Sequence, residues 1–306
     1  MLQQWFDLAS RPFRRKPSSE NALASHFIPV LCYHSWTIGG QTYETNDHVA
    51  LEHDLHILAQ RGYQVLPATT LVALLRGELP WHKIRGHKLV CLTCDDGRDF
   101  DYHSHDDDHW GRVESFRDIL HRSKDWLPQF APGPRAISFV IASPEARAIL
   151  DHTCGNGRKE WQDDWWHASA QEGVLGIANH SWDHVHDTLE QVRQHDNIKG
   201  SFHEITTFAD AEAQIAAAQH YIAQVTDNNA IPVFGYPYGH VPPYLSDEYF
   251  PQHGERLGIQ AAFGTDAASA RPTTNRWNIP RFVCGGHWKT PADFTALLDA
   301  VERGER

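Results

Sequence analysis

The run "KLVCLTCDDGRDFDYHSHDDDHWG", residues 88–111, decides how this chain is read. Its opening, "KLVCLTC" (88–94), is nearly all apolar and reads as a buried strand. The strand ends in two carboxylates, Asp95 and Asp96, and in Gly97, which can turn the chain sharply. Parallel α/β folds build their sites at such strand ends. Between Cys91 and Gly111 lie seven aspartates, three histidines and two cysteines, each a possible metal ligand. The question is which of them do chemistry and which keep a loop hydrated.

Working outward, short runs rich in Val, Ile and Phe recur at 27–33, 136–142, 174–179, 231–236, 259–263 and 279–284. Between most of them, segments such as "HVALEHDLHILAQRG", "TTLVALLRG", "ADAEAQIAAAQHYIAQV" and "PADFTALLDAVE" repeat apolar residues at three- and four-residue steps. Strands alternating with amphipathic helices predict a parallel α/β fold. Two stretches break the rhythm: a basic N-terminal arm, residues 1–25, and an Asp/His-rich loop at about 98–111. With no internal repeat, residues 26–306 read as one domain with a decorated loop.

Composition narrows the function. The chain has 306 residues, 41% hydrophobic and 22% charged, as in globular proteins, and a net charge of -12. That charge argues against nonspecific binding to nucleic acid or an anionic membrane and favours a neutral or cationic small substrate. No apolar run approaches a membrane span, and "MLQQWFDLASRPFRRKPSSE" lacks the apolar core of a secretory signal, so the expected location is cytoplasmic. The five cysteines are an odd number, most of them inside apolar runs, and are expected to be reduced. Cys91 and Cys94 spell C-x-x-C, but residues three apart on a strand face opposite ways, which speaks against a zinc or redox pair.

Two H-x-x-x-H pairs remain, and a helical turn would bring the two rings of each onto one face. His105 and His109 flank three aspartates in a segment with no apolar face, the pattern of a solvated loop. His180 and His184, in "IANHSWDHVH", directly follow a buried-looking strand. A catalytic zinc-type site takes about three protein ligands, an open position and a separate proton acceptor. Asp96 with His180 and His184 meets the first requirement, and Asp95 meets the last as general base.

Taken together, these segments resemble the polysaccharide deacetylase family, the NodB homology domain of carbohydrate esterase family 4. The resemblance spans most of residues 27–302. "IPVLCYH" is similar to the family's opening strand, "LTCDDG" to its T-F-D-D-G motif with Cys94 in place of Phe, and "NHSWDH" to its H-[ST]-x-x-H motif. The third motif, R-x-P-Y, departs: the chain reads "GYPYGH", with Gly235 where the arginine would stand. The resemblance implies an incomplete (β/α)7 barrel and a divalent metal, zinc by default, with cobalt or nickel possible. It implies that the Tyr238 amide stabilises an oxyanion, that another cation, with Arg281 the candidate, replaces the missing arginine beside Asp95, and that His287 protonates the leaving amine. The activity implied is removal of an N-acetyl group from an N-acetylated sugar or oligosaccharide. A deformylase or other small-amide hydrolase would use the same residues, and a glycan-binding protein on an inactive scaffold is the rival from another class. The Asp/His-rich loop is expected at the mouth of the site, selecting substrate or holding a second cation.

Overall fold

The computed structural model describes residues 27–35, 40–107, 109–155 and 157–306; the basic arm over residues 1–25 lies outside the described residues. In chain order the strands are β1 (Val30–His34), β2 (Tyr63–Val65), β3 (Lys88–Asp95), β4 (His105–Asp107), β5 (Gly111–Val113), β6 (Ala136–Val140), β7 (Leu175–Asn179), β8 (Val233–Gly235), β9 (Ala261–Phe263) and β10 (Phe282–Val283). All but β4 and β5 pair in parallel, in the order β10–β1–β3–β6–β7–β8–β9, with β2 against the first residues of β3. The edges meet: Ile279 bridges Phe263 of β9 in parallel, and β10, three residues on, pairs with Leu31 and Cys32 of β1. Seven parallel strands thus curl into a distorted, incomplete barrel, the architecture expected.

Strands buried on both faces explain the continuous apolar runs. Leu89 and Cys91 of β3 join Val30, Phe139, Ala178, Val233 and Phe263 in the barrel interior. Val90, Leu92 and Cys94 face the opposite way, packing with Leu51, Leu55 and Leu58 of the helix Asp47–Gln60 and with Leu298 of the helix Pro291–Glu302. Cys91 and Cys94 therefore lie in different cores, and all five cysteines are free thiols. The alternation also fixes where the acids go: Thr93 and Asp95 share the interior face with Cys91. No helix among the described residues is long and apolar enough to cross a membrane.

The Asp/His-rich segment is more ordered than a solvated loop. Its first turn, Asp99–Asp101, buries Phe100 and Asp101, and β4 and β5 pair antiparallel as a hairpin. At the hairpin tip the Asp107 carboxylate accepts the backbone N–H groups of His109 (2.8 Å) and Trp110 (3.0 Å). That acid serves the turn.

Candidate active site

The D-D-G corner sets the geometry. Asp96 and Gly97 both have left-handed backbones (φ 76° and 70°), and a Cβ on Gly97 would lie 2.8 Å from the Val140 Cα of β6. Only glycine fits both the dihedral and the close approach. The Asp96 carbonyl accepts the Trp161 indole N–H at 2.9 Å, which pins the corner.

His180 follows the end of β7, but the turn from His180 to His184 is not helical as the spacing suggested. Ser181, His184 and Val185 all have positive φ (71°, 62° and 50°). Polar side chains hold this path: Asn179 Oδ1 accepts the Ser181 N–H, Ser181 Oγ accepts the His184 N–H, and Asp183 Oδ1 accepts the Val185 N–H. The irregular turn still converges the rings. His180 Nε2 and His184 Nε2 lie 3.6 Å and 3.7 Å from the same Asp96 oxygen, and the three candidate donor atoms lie within 4.8 Å of one another.

These residues fit a metal ion. The separations are too long for hydrogen bonds, whereas donors about 2.1 Å from a tetrahedral ion stand about 3.4 Å apart. His180 Nδ1 lies 2.9 Å from the Gly235 carbonyl, so its proton sits there and the Nε2 lone pair faces the cluster. Burial lowers the pKa of His180, and burial with the neighbouring His180 charge lowers that of His184 further, so both rings are neutral donors. His184 Nδ1 is buried without a hydrogen-bond partner among the described residues; the Tyr238 ring packs edge-on against this imidazole at 4.3 Å between centroids. His184→Ala is accordingly expected to abolish metal binding with the fold retained, whereas His109→Ala on the hairpin keeps the metal. Elemental analysis of the two purified variants checks this, and metal loss in His109→Ala would move the site to the hairpin.

Asp95 lies beside the trio, its Oδ2 4.0 Å from His180 Nε2, but its carboxylate is paired with an arginine. Arg281, fully buried, donates from both terminal nitrogens to the two Asp95 oxygens at 2.6 Å and 2.8 Å. Its remaining contacts are the Gly264 carbonyl (3.0 Å, from Nε), Thr93 Oγ1 (3.2 Å) and Cys32 Sγ (3.4 Å), with the guanidinium over the Phe139 ring. Burial would raise the Asp95 pKa, but the Arg281 charge outweighs it and holds the carboxyl well below the usual carboxylate range. Phe139 also explains the altered third motif: a Cβ on Gly235 would meet the ring at 2.7 Å. Cys94, where the resembling motif has Phe, points its thiol at Asp101 Oδ2 (3.5 Å), which also accepts from Ser138 Oγ. Burial pushes the Asp101 carboxyl up to about 7.

Tyr238 sits on the turn after β8 with φ 58°, a strained conformation for a non-glycine residue. His287 is exposed, and its Nδ1 accepts the Val283 N–H at 2.7 Å within its own turn. A further histidine that the fold places beside Asp95, besides His180, is His34, a residue the sequence reading passed over. It is the Asp95 register partner on the adjoining strand β1, and with Cys32 and Asp95 it forms a second cluster of possible ligand atoms. Because Asp95 is already neutralised by Arg281, that second cluster is a poor cation site. The His34 backbone is fixed by its N–H to Asp47 Oδ2 at 2.7 Å. The register of β1 on β3, which no local sequence pattern carries, is what puts His34 next to Asp95.

No protein-family model matches the chain, and no curated protein sequence matches it. Solved structures do. A Streptococcus pyogenes deacetylase, PplD, in complex with acetate is 16% identical with a TM-score of 0.55, over 89% of this chain and 97% of that one. A polysaccharide deacetylase from Bacillus cereus is 16% identical with a TM-score of 0.51, over 89% and 69%. The BpsB deacetylase domain from Bordetella bronchiseptica is 14% identical with a TM-score of 0.53, over 85% and 96%. At these identities the likeness is one of architecture, and the chain has the fold of the polysaccharide deacetylases with a candidate Asp-His-His metal group at the ends of its strands.

Proposed function

We propose that the protein is a metal-dependent amide hydrolase that removes N-acetyl groups from an N-acetylated sugar or glycan. The observation that carries this reading is the division of labour between adjacent aspartates: Asp96 faces two neutral histidines, while Asp95 is kept ionised by a buried arginine. A binding module needs neither.

Asp96, His180 and His184 would hold the ion; zinc suits these donors, and cobalt or nickel would fit them. A divalent ion bound there supplies Lewis acidity, polarising the acyl oxygen and acidifying water. Asp95 accepts the proton of the attacking water, because each carboxylate oxygen keeps a lone pair beyond the one that Arg281 uses. Tyr238 gives its backbone N–H to the developing oxyanion. His34, on β1 and so on the opposite side of β3 from β7, which leads into His180 and His184, returns a proton to the leaving nitrogen, the role that the resemblance had suggested for His287. The acidic surface repels anionic polymers and leaves neutral N-acetylated ones as the better substrate class.

The test is product analysis with the metal-loaded protein on N-acetylglucosamine oligomers and their N-formyl analogues. Acetate is the expected product; release of formate alone would make it a deformylase, and no acid from either would end the hydrolase reading. In the same assay His34→Gln is expected to lower turnover by about a hundredfold, with His287→Gln near wild type. The opposite order would return the acid's role to His287.

A further inference from the structure

All five cysteines lie among the described residues, and Cys154 alone is exposed. Burial pushes the Cys32, Cys94 and Cys284 thiols up and takes Cys91 up to about 12, so these four stay protonated and out of reach of solutes. Cys154 ends the helix Pro144–Thr153, and its sulfur faces the rim of the metal group. Sγ lies 3.9 Å from His186 Nε2, and the His186 ring lies 5.9 Å from that of His184 and 6.4 Å from that of Tyr238 between centroids. We infer that Cys154 is a thiol-modification site, at which exchange with a small disulfide places an adduct beside Tyr238 and closes the approach to the metal group. Its effect on activity rests on the deacetylase reading; the modification itself does not.

The sulfur is held in this place. The Cys154 and Gly155 N–H groups both bond to the Leu150 carbonyl, at 2.8 Å and 3.0 Å, which fixes the helix end. Thr153 Oγ1, 3.5 Å from Sγ, reaches Thr188 Oγ1 at 3.2 Å, and Thr188 Oγ1 stands 3.0 Å from His186 Nδ1. The helix end and the turn after His184 are thereby tied together. Cys154 is also within electrostatic reach of Tyr238: burial pushes the tyrosine hydroxyl up, and Asp187, Asp96 and Cys154 push it further. In the exchange the Cys154 sulfur attacks one sulfur of the disulfide, a new S–S bond forms as the old one breaks, and the departing thiolate takes the proton that Cys154 gives up. The protein thiol is oxidised and the small disulfide is reduced, with no other reactant. Three extended residues span about 10 Å, so a tripeptide adduct is long enough to lie across His186 and Tyr238. A cation fits this place less well, because no third His, Cys, Asp or Glu among the described residues joins Sγ and Nε2.

The experiment treats the metal-loaded protein with glutathione disulfide and reads intact mass, a peptide map, the rate of metal loss to a chelator, and acetate release. One glutathionyl group per folded chain is expected, on Cys154, with the buried thiols reacting only after unfolding. The adduct should slow metal loss at least about tenfold by covering the approach to the ion, and acetate release should be lost and then restored by dithiothreitol. Cys154→Ser should match the untreated wild type in both rates and show no response to the disulfide. No adduct, an adduct on another cysteine, an adduct on Cys154 that leaves metal loss unchanged, or a response that persists in Cys154→Ser overturns the inference. Slower metal loss in a protein that releases no acetate even before treatment would leave the thiol site standing and remove the deacetylase reading instead.

Discussion

Asp95→Asn is expected to retain the metal and to lower turnover by about a hundredfold or more, the usual yield of a positioned base. The amide keeps the shape of the carboxylate but cannot take a proton. It also removes the countercharge from Arg281, which is fully buried. Breaking one side of such a pair costs about 3–5 kcal/mol, so the melting temperature should fall as well, and turnover must be measured well below the variant's own midpoint. Elemental analysis, a thermal melt and acetate release on one preparation check all three expectations. If Asp95→Asn loses the metal while Asp96→Asn keeps it, the two aspartates have exchanged roles.

Arg281→Met carries the second large effect. Turnover should fall more than substrate affinity weakens, because the guanidinium fixes the orientation of Asp95 and touches the base, not the substrate. Stability should fall by about 3–5 kcal/mol at neutral pH, and the pH dependence has a definite sign. In the wild type the folded pKa of Asp95 lies below its unfolded value, so the pair's contribution is full above the ordinary carboxylate range and is lost only as pH falls through the depressed folded value. In the variant burial, the largest influence, is opposed only by the weaker pull of His180 and His34, and the folded pKa rises; the penalty is then full at neutral pH and is relieved as pH falls toward the unfolded value. Urea unfolding of the two chelator-treated proteins at pH 8 and pH 5 should show the stability gap narrowing at the lower pH. A gap of equal size at both would mean that the stranded carboxylate is not what destabilises the variant.

Much of the architecture was legible because both faces of most strands are buried, which writes each strand as an apolar run. β2 escaped, since Tyr63–Val65 is three residues long with Gln64 in the middle, too short to show a period. The site was legible where it is local. "CDDG" and "NHSWDH" each place their groups within a few residues, and both follow strands. The path between His180 and His184 was misread from spacing alone, although the Asn, Ser and Asp that cap its backbone amides are turn formers visible in the sequence. His34 and Arg281 differ in a useful way. Arg281 was found by asking what must replace a missing charge, whereas His34 needs the register of β1 on β3, a long-range fact no local pattern carries. The hairpin at 105–113 was hidden by polarity: its strands bury little, and backbone pairing leaves no hydrophobic trace.

The Phe139 ring has a consequence for how this site can change. It occupies the space where a side chain at Gly235 would begin, and the Arg281 guanidinium lies over the same ring. Gly235→Arg alone collides with the ring, loss of Arg281 alone strands a buried carboxylate, and shrinking Phe139 alone opens a void beneath the guanidinium. Each single step toward an arginine on β8 is therefore unfavourable by itself, and only coordinated substitution at positions 139, 235 and 281 moves the charge from one strand to the other. The two solutions are separated by a fitness valley, and a search that scores positions independently will not connect them.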